Sequence, residues 1–202
     1  MTITPDSPIL NVTPQATPEQ CSRYLSARPH GAYTESDIAG VIVPAYFAVC
    51  ATAGVDPLLI IAQMVHETGG LTSALSQRQD PDGNPLRNPA GIGVTGERST
   101  TPQSGFVFDA DHECYRRACG FTSWRDDAIP AHVGRLLAYA LTDQAANDTQ
   151  RALVARALGY RPLPTSYRGA APTLRGLAGR WAVPGTTYPD KLAQIANAIR
   201  SS

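Results

Sequence analysis

The sequence predicts a mainly helical domain interrupted by one small irregular lobe. Apolar residues at helical spacing, closed off by capping residues, occupy both flanks of the chain. The stretch from Ser76 to Phe121 is instead broken repeatedly by Gly, Pro and Asn. With 202 residues, of which 43% are hydrophobic, the chain has enough apolar material for one sizeable core.

Taken in order, residues 1–16 are rich in Pro and Thr and read as an extended arm, ahead of a single domain over 17–202. Thr17-Pro18-Glu19-Gln20 has the form of a capping box with Pro at the first helical position, opening a helix to about Arg28. A second helix starts at Ser36 and carries Ile38, Val41, Ile42, Ala45, Tyr46 and Val49 at helical spacing. Asp56-Pro57 then caps a third, ended by the pair Gly69-Gly70. Every residue from Leu58 to Val65 except Gln63 is apolar, and a helix apolar all round belongs in a core.

In the small lobe, about 76–121, Asp80-Pro81-Asp82-Gly83-Asn84-Pro85 reads as turns, and Gly105-Phe106-Val107-Phe108 precedes a polar loop. Loop with two short strands is expected. Ser123-Trp124-Arg125-Asp126 signals a helix start, followed by Ile129, Val133, Leu136, Leu137 and Ala140. Shorter helices are expected over 148–158 and 172–180. A last one, over 189–200, presents Leu192, Ile195, Ala196 and Ile199 on one face.

Composition narrows the function. Seventeen basic residues balance seventeen acidic ones, so no basic stripe offers itself to nucleic acid. No uninterrupted apolar run of membrane-spanning length is present, and Met1-Thr2-Ile3-Thr4-Pro5-Asp6 lacks the plan of a secretory signal. Neither membrane insertion nor a nucleic-acid partner is expected. The four cysteines form no zinc pattern: Cys114 and Cys119 are separated by four residues with no second close pair, while Cys21 and Cys50 read as buried thiols. In an oxidising compartment Cys114 and Cys119 could staple a small hairpin.

Glu67 stands out because of where it rides. The C-terminus of a helix and an apolar setting both favour the protonated form of a carboxyl, which is what a general acid needs. A zinc-protease reading of His66-Glu67 fails, since the position one turn on is Gly70 and not a second His. There is no Gly-x-Ser-x-Gly elbow and no phosphate-cradling Gly-Lys-Ser/Thr loop. No metal or cofactor is expected.

The run Leu59-Ile60-Ile61-Ala62-Gln63-Met64-Val65-His66-Glu67-Thr68-Gly69 resembles the Ala-Gln-x-x-x-Glu-Ser/Thr-Gly helix of bacterial peptidoglycan glucosaminidases, the glycoside hydrolase family 73 group. Asn88-Pro89-Ala90-Gly91-Ile92-Gly93 is similar to their Asn-x-x-Gly-Ile element, and Phe121 to His132 to the start of a later helix. Arg180-Trp181-Ala182 and Tyr188-Pro189-Asp190-Lys191-Leu192 resemble their closing pieces. The likeness runs in order over about residues 36–200. It implies a lysozyme-like α-domain with a small β lobe, a glycan strand of peptidoglycan lying in the cleft between them, and action at the bacterial cell wall.

It also implies roles. Glu67 would be the general acid, and Tyr188 an accessory group near it that hydrogen-bonds the acetamido group or the water. Gln63, Asn88 and the Gly91-Ile92 backbone would bind substrate, and Trp124 would stack on a sugar face. For a second carboxylate the lobe offers Glu97, Asp109, Asp111 and Glu113, of which Glu97 is preferred. Inverting, retaining and substrate-assisted routes stay open. His132, Phe121 and Trp181 are assigned mainly to packing. The expected reaction is cleavage of the β-1,4 bond on the reducing side of N-acetylglucosamine. A muramidase or lytic transglycosylase of the same fold, or a non-catalytic wall-binding or assembly module, is the alternative.

Overall fold

A computed structural model describes residues 2–77, 85–103, 105–109 and 112–202. It is mainly α with a small β lobe. Six helices of eight residues or more form the α-domain among the described residues: α1 Pro18–Ser26, α2 Glu35–Ala53, α3 Pro57–Thr68, α4 Ile129–Ala140, α5 Asp148–Tyr160 and α6 Tyr188–Arg200. α2 contains a π-helical turn at Ile38–Ile42, and a second such turn, Trp124–Ala128, leads into α4.

The punctuation read from the sequence is what builds these ends. Thr17 and Gln20 exchange both bonds of the capping box, at 3.2 and 2.9 Å. The Asp56 carboxylate accepts the Leu58 N–H at 3.0 Å, and Gly69 closes α3 in the left-handed region at φ 61°. Ten of the twelve residues of α3 are buried, and the helix packs against both α2 and α6. By length and apolarity α2 would pass as a membrane-spanning helix; here Ile38, Ile42, Tyr46 and Cys50 bury one side of it in the core.

Helices α4 and α5 approach closely enough to demand a glycine. A Cβ placed on Gly134 would lie 2.0 Å from the Leu153 carbonyl oxygen and 3.1 Å from the Ala157 methyl. No side chain fits there. The N-terminal arm turns at Pro5-Asp6 and is pinned to the α-domain: Ile3 and Ile9 are buried, Pro8 bridges to Thr173 and Leu10 to Val55.

The expected helix over 172–180 is a single 3-10 turn, Leu174–Leu177. Pro172 precedes it, Gly179 follows at φ 73°, and Gly176 packs where a Cβ would meet the Ala171 backbone at 2.5 Å. Among the described residues three strands stand where two are expected: β1 Arg98–Ser99, β2 Phe106–Asp109 and β3 Cys114–Arg117, antiparallel in the order β1-β3-β2. Leu86, Val107 and Ala118 give this lobe a small core of its own. The turns expected over 80–84 lie outside the described residues. All four cysteines are free; burial pushes the Cys21 thiol up to about 12 and raises Cys50 further, so neither supplies a thiolate at neutral pH.

Gly134→Ala is expected to lower stability by about 2 to 4 kcal/mol in chemical denaturation, since the added methyl forces the α4–α5 backbones apart. A variant as stable as the parent would contradict the close approach.

Candidate active site

Glu67 is the penultimate residue of α3, half-buried where the helix stops. Two left-handed glycines, Gly69 at φ 61° and Gly70 at φ 74°, turn the chain away at once. The carboxylate is thereby left at the wall of a cleft of about 360 Å³ between the lobes. Arg135, Tyr139, Arg161 and Trp181 line the α-domain side with it, and Leu75, Ala90, Gly91, Ile92 and Val94 line the lobe side. Glu67 is the one carboxylate among the described lining residues.

Both hydrogen bonds to Glu67 fall on the same oxygen. Its Oε1 accepts the Tyr188 hydroxyl at 2.5 Å and the Trp181 indole N–H at 2.9 Å. Oε2 has no partner among the described residues, so it is the oxygen free to carry a proton and meet a ligand. The sequence assigns Trp181 mainly to packing; the structure also gives its ring N–H a partner in Glu67. Its ring N–H role depends on the loop before α6 returning over the end of α3, and only the Trp-Ala element of the resemblance signalled it.

Behind the carboxylate runs a buried chain of polar side chains whose direction is fixed. Tyr188 Oη, donating to Glu67, accepts from Gln63 Nε2 at 2.9 Å. Gln63 Oε1 must then take the Nε2 hydrogen of His132, at 3.1 Å. That leaves His132 Nδ1 bare to accept the Tyr46 hydroxyl at 3.0 Å. The network assigns this tautomer. Gln63, His132 and Tyr46 are essentially inaccessible to solvent.

Electrostatics agree with the direction of the chain. Burial pulls the His132 pKa down to about 3, so the ring is neutral at physiological pH and has one hydrogen to give. Burial first, and then the Glu67 charge, raise the Tyr188 phenol well above its ordinary value, which keeps it a donor.

Several expected site residues serve other purposes. Gln63 is sealed behind Tyr188, so it positions that phenol and cannot reach a substrate in the cleft. Asn88 is fully buried and spent on its own loop: Nδ2 donates to the Ile92 and Cys119 carbonyls at 2.8 and 3.0 Å, and Oδ1 accepts from Ala90 and Ile92 at 3.2 and 2.9 Å. It holds Gly91 and Ile92 in the rim without touching a ligand. Trp124 is buried edge-on against Tyr33, ring centroids 5.5 Å apart, and is absent from the lining of the Glu67 cleft.

Glu97 lies in an adjoining recess of about 500 Å³ and is ion-paired with Arg117 at 3.0 Å. The structure does not bring it to Glu67. Glu113 is an exposed turn residue at φ 48°, while Asp111 and the side chain of Asp109 lie outside the described residues. No cluster of three or more His, Cys, Asp or Glu positioned for a metal occurs among the described residues.

Comparison of the chain with protein-family models, with curated proteins and with solved structures finds no match.

A buried neutral imidazole makes stability depend on pH. With a native pKa of about 3 and an ordinary value of 6.5, the unfolded chain binds the extra proton between those limits, so stability rises with pH across that window and falls as it is acidified. His132→Gln removes this term. The stability advantage of the parent over that variant should therefore shrink by about 3 kcal/mol between pH 7 and pH 4 in urea titrations. A gap that does not change with pH would contradict a neutral His132.

Proposed function

We propose that this protein is a glycoside hydrolase that cuts the β-1,4 bond on the reducing side of N-acetylglucosamine in peptidoglycan, with Glu67 as its acid. The observation that carries this reading is the one-sided bonding of Glu67: Oε1 is held by Tyr188 and Trp181, and Oε2 is left for the cleft. A carboxyl so held presents its proton in one direction. The order of motifs along residues 36–200 that resembles the family 73 glucosaminidases supports the same substrate class.

In the reaction, Oε2–H gives its proton to the glycosidic oxygen while the bond from that oxygen to the anomeric carbon breaks. Positive charge develops on the sugar ring and needs a nucleophile. Glu67 being the sole described carboxylate in the cleft, the acetamido oxygen of the N-acetylated sugar itself closes onto the anomeric carbon, giving an oxazolinium. Water then opens that ring, and Glu67, now ionised, takes the proton from the water. Tyr188 and Trp181 stabilise the carboxylate at the moment it forms, because charge-assisted bonds are stronger than neutral ones.

Glu67→Gln keeps the shape and removes the acid. Clearance of purified cell walls by that variant should fall by a factor of about a thousand or more. Unchanged clearance removes Glu67 from the chemistry and the hydrolase with it. Mass spectra of wild-type products should show N-acetylglucosamine at the new reducing ends; reducing muramic acid, or its anhydro form, would assign the cut to the other linkage. Tyr188→Phe should lower kcat about tenfold to a hundredfold by removing one donor to the ionised acid.

A further inference from the structure

The wall that bears Glu67 continues into positive charge. Trp181 touches Glu67, its ring lies 5.5 Å from that of Tyr139, and Tyr139 in turn faces the Arg135 guanidinium at 5.5 Å. Arg135 Nη1 donates to the carbonyls of Arg161 and Pro162, at 2.5 and 3.3 Å, just past the end of α5. The acid therefore stands at one end of this wall and the Arg135 guanidinium at the other, with two aromatic rings between; Arg161 also lines the cleft, close enough for its charge to be felt by Arg135.

Arg135 is only 7% exposed, yet it and Arg161 have no carboxylate partner among the described residues. Glu97, the acidic residue among the described lining of the adjoining recess, is ion-paired with Arg117. A buried guanidinium held by carbonyls and an aromatic ring, within reach of a second positive charge, is electrostatically unfavourable. The arrangement is favourable once an anion binds, and the planar fork of Arg suits a carboxylate.

We propose that Arg135 and Arg161 form an anion-binding subsite in the Glu67 cleft that takes a carboxylate borne by the muramyl residue of the substrate. The proposal rests on the glycan reading of the cleft and deepens it. A β-1,4 chain of N-acetylglucosamine is uncharged, whereas each muramyl unit bears a carboxylate, on its lactyl group when bare or on its peptide stem when substituted. The subsite thus separates peptidoglycan from neutral chitin-like glycans. Arg135 is pre-set by its bonds to the loop after α5, and the exposed Arg161 closes on the anion from the rim.

The test is binding to the Glu67→Gln protein, which holds substrate without cutting it. Three probes of equal sugar length are titrated calorimetrically: chitotetraose, a glucosaminyl-muramyl tetrasaccharide with free lactyl carboxylates, and the same tetrasaccharide bearing stem peptides. At least one muramyl probe is expected to bind about tenfold or more tightly than chitotetraose, and which one identifies the carboxylate read. Adding Arg161→Gln, a change at an exposed side chain, should remove most of that preference, bringing the muramyl probe to within about threefold of chitotetraose. Absence of any preference in the parent, or its persistence in the Arg161→Gln protein, overturns the subsite. Failure of the hydrolase reading is read separately: wild-type protein that binds the charged probe through Arg161 and leaves it uncut retains the subsite without the activity.

Discussion

The hydrogen bond from Tyr188 to Glu67 is the contact on which the rest of the site depends. Because a carboxylate can only accept, this bond dictates that Tyr188 receives from Gln63, that Gln63 receives from His132, and that His132 receives from Tyr46. Reversing one member would set donor against donor or leave a lone pair facing a lone pair in a dry interior. Buried networks of this kind are favourable only when every member is satisfied. Here every bond of the chain has one consistent sense.

That chain also joins the site to the core. Tyr46 comes from α2, Gln63 and Glu67 from α3, His132 from α4 and Tyr188 from the first turn of α6. Four helices must pack in register for the carboxylate to be aimed, so the apolar interior does double duty as the frame of the site. The rigidity that the proposed role of Glu67 requires comes from that packing and from the immobility of buried amides and rings. The lobe side is arranged more locally, by Asn88 pinning the Gly91-Ile92 rim.

Helix boundaries were readable because they are written in local chemistry: a Thr or Asp that caps, a Pro that starts, a Gly that accepts a positive φ. Glu67 was readable for the same reason, being the one carboxylate at the end of an apolar helix. Asn88 misled because an Asn beside glycines looks the same in sequence whether its amide faces a ligand or its own loop. His132 and Trp181 were underrated since their polar atoms matter only through partners more than sixty residues away in the chain, at Gln63 and Glu67. Glu97 was one charge among several in a loop, and nothing local records that Arg117 stands across from it.

The N-terminal arm has a consequence for how the fold is closed. Ile3 N–H donates to Asn197 Oδ1 at 3.0 Å, and Asn197 Nδ2 returns a bond to the Ile3 carbonyl at 2.8 Å, a two-way amide clasp between the first and last parts of the described chain. Asn197 sits on α6, the helix that begins with Tyr188. Ile3 and the last turns of α6 are thus spatial neighbours, although 194 positions separate Ile3 from Asn197. An arm that looks peripheral is mechanically in line with the phenol that steadies the acid.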